Sequence, residues 1–151
     1  MSEKNPARAT ENLTPMAHAA QNRCFGCGQA NPGGLHLEFL LAEDHSVVCH
    51  ASIPAAFEGP PGYLHGGIIA TLLDEIMSKA VRARGWTAMT RRMEVDYLRP
   101  VLTDAPIRME GRVTHSEGRK HWTEARILSA EGNELAVGRG LFIEVLAREK
   151  S

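Results

Sequence analysis

His65, Gly66 and Gly67 stand together in the middle of the chain, and Asp74 follows nine residues after the histidine. If a helix begins at Gly66, its first backbone N–H groups have no intrahelical acceptor, and two residues without side chains let a ligand oxygen approach them closely. That is what an oxyanion hole requires, although a glycine pair alone is more often a turn. Asp74 falls at the margin of the apolar helix face, near Ala70, Met77 and Val81, so its carboxylate points where water is scarce. An acid in that position is either a buried group satisfied by a nearby donor or a general base or nucleophile. Glu75 groups instead with Thr71, Ser78, Lys79 and Arg82, and is expected on the solvated helix face, paired with Lys79. His65 is open between an orienting hydrogen-bonder, a general base and a polar loop residue. Gly66 and Asp74 are eight residues apart, about 12 Å along a helix. One chain cannot easily bring both to one carbonyl, so cooperation between them implies a second subunit.

The element that must position these groups is a helix from about Gly66 to Ala83. Ile68, Ile69, Leu72, Leu73, Ile76, Met77, Ala80 and Val81 recur at three- and four-residue spacing and form one broad apolar face. Before it, FEGPPGYLHGG (57–67) holds two prolines and four glycines and must turn. CFGCGQANPGG (24–34) is a further series of turns. Leu35, Leu37 and Phe39 then alternate with His36 and Glu38, and after a turn at Glu43-Asp44 the run 46–53 is β-prone, which predicts a hairpin. Beyond Gly85, four strands are expected over roughly 88–101, 105–116, 120–130 and 134–146. Two strands, one long helix and four strands predict an α+β domain whose antiparallel sheet wraps around the helix. Residues 1–20 lack sustained apolar periodicity and are expected to form a flexible arm ahead of a domain over 21–151.

A length of 151 residues suits one domain, and 43% apolar with 23% charged residues is globular composition. A formal net charge of -1 argues against nucleic-acid or membrane-surface binding, which would bring a basic excess. Neither a signal-like apolar run nor a membrane-length apolar stretch is present, so a soluble, cytoplasmic protein is expected. Three cysteines, Cys24, Cys27 and Cys49, are an odd number and give no disulfide framework. Cys24 and Cys27 have the spacing of half a zinc site, but no second pair exists and a closed site needs four ligands. They are expected to act as small buried apolar residues, with no metal and no cofactor.

The run YLHGGIIATLLDEIMSKAV (63–81) resembles the HGG-x₆-D signature of hotdog-fold acyl-CoA thioesterases of the phenylacetate-pathway (PaaI-like) type. The resemblance continues through TRRMEVDYLRPV (90–101), the GRK turn (118–120) and GNELAVGRGLFIEV (132–145), and covers most of the chain from Cys24 onward. CFGCG at 24–28 looks like an N-terminal motif carried by a subset of these enzymes. The resemblance implies a hotdog fold and hydrolysis of an acyl-CoA to free acid and coenzyme A. It implies Asp74 as general base or nucleophile, the Gly66 N–H as the donor polarising the thioester carbonyl, His65 as orienter and Thr90 as an assisting hydroxyl. Arg99, Arg119 and Lys120 would meet the phosphates of coenzyme A, with Gly67 beside the carbonyl, and Ile68, Leu72, Met89 and Met93 are candidates for an acyl channel. Some members carry an Asn six residues before the histidine, where this chain has Gly59. Assembly as a homodimer, with dimers pairing into a tetramer, is also implied. Of two rival functions, a hotdog dehydratase places its catalytic histidine differently, and a non-catalytic acyl-CoA binding module would keep the pocket and lack turnover.

Overall fold

The computed structural model describes residues 12–145 of the 151. Helix α1 spans Gly66–Arg82 and buries Leu72, Leu73, Ile76, Met77, Ala80 and Val81, the positions whose spacing defines its apolar face. Each such Leu, Ile, Met or Val side chain withdrawn from water contributes roughly 1.5–3 kcal/mol. Lys79 and Arg82 lie in the last turn, where positive charge complements the helix dipole.

Seven strands pair antiparallel around this helix: β1 (Thr14–Pro15), β2 (Leu40–Leu41) and β3 (Val47–Ser52) before it, then β4 (Ala88–Tyr97), β5 (Pro106–Glu117), β6 (Lys120–Ser129) and β7 (Glu134–Glu144). Their order across the sheet is β1-β2-β3-β5-β6-β7-β4. β6 shows the two-residue period of a sheet with one covered face, since His121, Thr123, Ala125 and Ile127 are buried and alternate with less buried residues. α1 packs against β3 through β7, and two glycines let it sit close. A Cβ at Gly111 would lie 3.0 Å from the Ile76 carbonyl oxygen, and one at Gly138 would lie 3.3 Å from Leu73 Cβ. This is the hotdog architecture, a sheet wrapped on one long helix.

The chain ahead of the helix departs from expectation. His36 takes a positive φ of 51°, which breaks the expected strand, so only Leu40–Leu41 pairs with β3 while Leu37 and Phe39 pack into the core as irregular chain. Residues 1–11 of the expected arm lie outside the described residues. Within 12–20, Thr14–Pro15 pairs with β2 and the Met16 N–H donates to the Phe39 carbonyl at 2.9 Å, so this part is attached to the sheet. No helix among the described residues is long and apolar enough to cross a membrane.

Candidate active site

The loop leading into α1 is held by its backbone. The His65 N–H donates to Phe57 O at 3.0 Å, and the Leu64 N–H to Val101 O at 2.8 Å. His65 caps the helix with φ −60° and ψ 137°, and its Nδ1 accepts the Gly67 N–H at 2.9 Å. A neutral imidazole that accepts at Nδ1 carries its proton on Nε2. A Cβ at Gly67 would stand 3.1 Å from Nδ1, so glycine leaves the room the capping ring needs. Of the two glycine N–H groups expected to be open, the one on Gly67 is therefore taken by His65. The N–H of Gly66 has no acceptor among the described residues and stands exposed at the positive end of the helix.

Asp74 lies two turns further on, half-buried. Thr90 Oγ1 donates to its Oδ1 at 2.6 Å, which leaves Oδ2 without a partner among the described residues. The register of β4 explains how Thr90 reaches the helix. Met93, Val95 and Tyr97 pair with Gly140, Gly138 and Ala136 on the covered face, and strict alternation would turn Thr90 outward. A bulge between Thr90 and Arg92 inserts one unpaired residue and returns the hydroxyl to the helix side, opposite Phe142. Tyr97 was not among the expected site residues, yet its hydroxyl donates to the Gly66 carbonyl at 2.9 Å. Its phase with Met93 and Val95 is the sequence signal that could have marked it.

Gly66 and Asp74 are thus tied to opposite ends of one strand, Gly66 to Tyr97 and Asp74 to Thr90. Seven residues of strand separate those anchors, roughly 23 Å at 3.3 Å per residue. The expected basic residues divide in the same way. Lys120 heads β6 in a row with Ile143 and Met89, one residue from Thr90, and two strand spacings put it about 10 Å across the sheet from Met89. Arg119 beside it already donates from Nε and Nη2 to the Glu144 carbonyl at 3.0 and 2.7 Å. Arg99 follows the other end of β4, exposed, with its backbone N–H on Leu135 O at 3.0 Å. Of the expected acyl-channel residues, Leu72 is fully buried core, Ile68 and Met93 are half-buried, and Met89 is 64% exposed. A Cβ at Gly59 would stand 3.3 Å from His65 Cα.

Glu75 is not on a solvated face paired with Lys79. The CFGCG loop covers it, Cys24 Sγ lies 3.3 Å from its Oε1, and the Lys79 ammonium sits instead over the Phe39 ring, 5.6 Å from the centroid. Helix spacing marks position 75 as polar but carries no signal that a remote loop seats there.

β4 is an edge strand of ten residues whose outer N–H and C=O groups face away from the sheet. Met89 and, at 54% exposure, Tyr97 lie along it, with Leu98 and Leu102 exposed beyond its end.

Comparison with known proteins identifies the family. Residues 61–136 match the family described as the thioesterase superfamily. The acyl-coenzyme A thioesterase THEM4 of Xenopus laevis is 31% identical over 134 residues, 87% of this chain and 60% of that protein. The chain spans only 50–60% of the length of that relative and of its Bos taurus counterpart. Among solved structures, the thioesterase superfamily protein RHA08564 superposes with a TM-score of 0.76 at 29% identity, covering 80% of this chain and 62% of that one. The PaaI protein of E. coli, from the phenylacetic acid degradation operon, superposes with a TM-score of 0.69 at 19% identity over 74% of this chain and 81% of that one, a likeness of fold. The hotdog sheet, the helix with its capped glycine start and the matched segment together make this chain a member of the thioesterase superfamily.

Proposed function

We propose that this chain is an acyl-CoA thioesterase whose active sites are each shared by two copies of the chain. The observation that carries the proposal is the Thr90–Asp74 hydrogen bond of 2.6 Å at one end of β4, with the unpaired Gly66 N–H at the other end. Two β4 edges pairing antiparallel about their middle would set the Thr90 end of one beside the Tyr97 end of the other. The Asp74 carboxylate of one protomer then comes to the helix start of its partner. A long edge strand with no further strand on its outer side among the described residues, bordered by exposed Met89, Tyr97 and Leu98, supports such pairing, since an open edge of that kind otherwise invites aggregation. The same operation brings Lys120 of one chain and the partner subunit's Arg99 toward one site, where the phosphates of coenzyme A would lie. Arg119, held on the Glu144 carbonyl, would shape the turn that carries Lys120.

In the reaction, the thioester carbonyl oxygen accepts the N–H from the partner subunit's Gly66, and the helix terminus stabilises the negative charge that develops on it. Thr90 occupies Oδ1 of Asp74 and fixes the carboxylate, which leaves Oδ2 to act. Oδ2 either takes a proton from the attacking water or adds to the carbonyl itself to give an anhydride that water then opens. In both cases the carbon–sulfur bond breaks, the electron pair leaves on sulfur, and a proton completes free coenzyme A. Label found in Asp74 after single-turnover hydrolysis in ¹⁸O water would establish the anhydride route, because water that opens the anhydride at the Asp74 carboxyl carbon leaves its oxygen there.

A thiol-release assay over a panel of short, long and aromatic acyl-CoA esters tests the activity. Free thiol is expected to appear in step with loss of ester for at least one class. Saturable binding of the esters with no thiol released from any of them would make the protein a binding module instead.

A further inference from the structure

The 24–34 loop, left without a role in catalysis, folds into a cluster that the sequence alone does not assemble. Cys24 and Cys27 come from the loop and Glu75 from α1, and one ligand atom from each lies within 4.8 Å of the others. The loop is fixed on the helix. A Cβ at Gly26 would fall 2.2 Å from Glu75 Cγ, so only glycine lets the turn rest on that side chain. Gly28 N–H donates to Cys24 O at 2.8 Å, and Leu35 and Leu37 N–H groups donate to Phe25 O and Gly26 O at 2.8 and 2.9 Å. Asn22 holds both ends of the pair, its Oδ1 accepting the Cys24 N–H at 3.0 Å and its Nδ2 donating to Cys27 Sγ at 3.3 Å.

We propose that Cys24 Sγ, Cys27 Sγ and a carboxylate oxygen of Glu75 bind one soft divalent cation of the zinc type, which clamps the 24–34 loop to α1. All three ligand atoms lie within 4.8 Å of one another, a spacing that suits one shared cation. Zinc bonds of about 2.3 Å to sulfur and about 2.0 Å to oxygen set the ligands roughly 3.5–3.8 Å apart, and Cys24 Sγ and Glu75 Oε1 are 3.3 Å apart. An amide donating to a ligand sulfur, as Asn22 does, is the outer contact expected around a bound thiolate. Without a cation, Glu75 has only the weak S–H of Cys24 as partner and no ion pair among the described residues. A bound divalent cation favours thiolate over thiol at both cysteines. Two thiol protons leave to solvent, two thiolates and a carboxylate meet two positive charges, and the net charge of the cluster stays at -1. Burial and the nearby Lys79 push the His18 imidazole below its ordinary value, and its Nε2 is shielded from solvent with no hydrogen-bond partner among the described residues. The expectation of no metal at these cysteines rested on the lack of a second cysteine pair. Glu75 supplies a third ligand from another element, and a water would take the fourth position.

The test uses the full chain, reduced and stripped with a chelator, titrated with Co²⁺ and then Zn²⁺ under argon. One Co²⁺ per chain is expected, with thiolate-to-cobalt charge-transfer absorption and the intense visible bands of a tetrahedral site, both abolished by stoichiometric Zn²⁺. Cys24→Ser or Cys27→Ser should remove the charge-transfer band, and Glu75→Gln, nearly the same shape, should weaken Zn²⁺ at least about tenfold against a competing chelator. Saturating Co²⁺ that gives no charge-transfer band in reduced wild type would overturn the proposal without recourse to any variant. Unchanged affinity in folded Glu75→Gln would remove the carboxylate from the site, and a Cys24–Cys27 disulfide in a protein whose reduced form refuses metal would make the pair a redox couple instead.

Discussion

Substituting Gly66 by proline isolates a single N–H. Proline at the first helical position keeps a compatible φ and removes only the donor, and it asks the residue before it to be extended. His65 already is, at φ −60° and ψ 137°. A Cβ at position 66 would meet nothing nearer than Tyr97 Cε1 at 3.7 Å, an ordinary contact. The lost N–H has no acceptor among the described residues, so no folded-state hydrogen bond is broken. The fold should therefore be nearly unaffected, with Tm within a few degrees of wild type. Removing one preorganised oxyanion donor costs about 2.7–4 kcal/mol in the transition state, a fall in kcat of about 10²–10³. Thiol release measured at saturating and limiting acyl-CoA should show that loss in kcat with little change in KM, the pattern of an interaction made mainly in the transition state. A folded Gly66→Pro protein that keeps kcat within about threefold of wild type would refute the assignment of this donor.

Asp74→Asn should abolish turnover by about 10²–10⁴ with substrate binding retained, while Thr90→Val, which deletes the hydroxyl on Oδ1, should cost less. An equal loss in steady-state assays of the two variants would give Thr90 a primary role. Gly111→Ala should destabilise by about 1–3 kcal/mol in urea unfolding, because its methyl would press on the Ile76 carbonyl at 3.0 Å with no flexible side chain to yield. Burial pushes the Cys49 thiol up to about 12 from 9.0. The folded thiol thus stays protonated where the unfolded one ionises, so its contribution to stability is full below about pH 9 and declines as pH rises. The stability gap between wild type and Cys49→Ala should narrow by about 1 kcal/mol between pH 8 and pH 10, at about 1.4 kcal/mol per unit of difference. An unchanged gap would show that burial does not hold the proton on.

Much of this was legible in the residues because single-element periodicities set it. α1 follows from the spacing of Leu72, Leu73, Ile76 and Met77, and the four strands after it follow from the β-prone runs beyond Gly85. The Asp74–Thr90 pair was named from resemblance, but the bulge at Arg91 that joins them depends on register with β7 and has no mark in the sequence of β4 alone. The split between Gly66 and Gly67 was equally hidden, since it turns on which N–H the His65 ring accepts. His36 broke an alternation that looked like a strand, because one positive φ outweighs a three-residue pattern. Glu75 was misplaced for the opposite reason. Helix spacing says which face a residue occupies and nothing about which distant loop will cover it.

The shared site is tested most directly by forced pairing of two inactive chains. An Asp74→Asn chain and a Gly66→Pro chain, carrying different tags, are co-expressed and purified through both tags, so that only mixed dimers remain. If each site takes its carboxylate from one chain and its oxyanion donor from the other, the mixed dimer has one site with both groups and one with neither. Thiol release per dimer should then return to about half that of wild type, while each mutant homodimer stays near background. If both groups act within one chain, every site carries one lesion, and mixed dimers as inactive as the two homodimers would contradict the shared site.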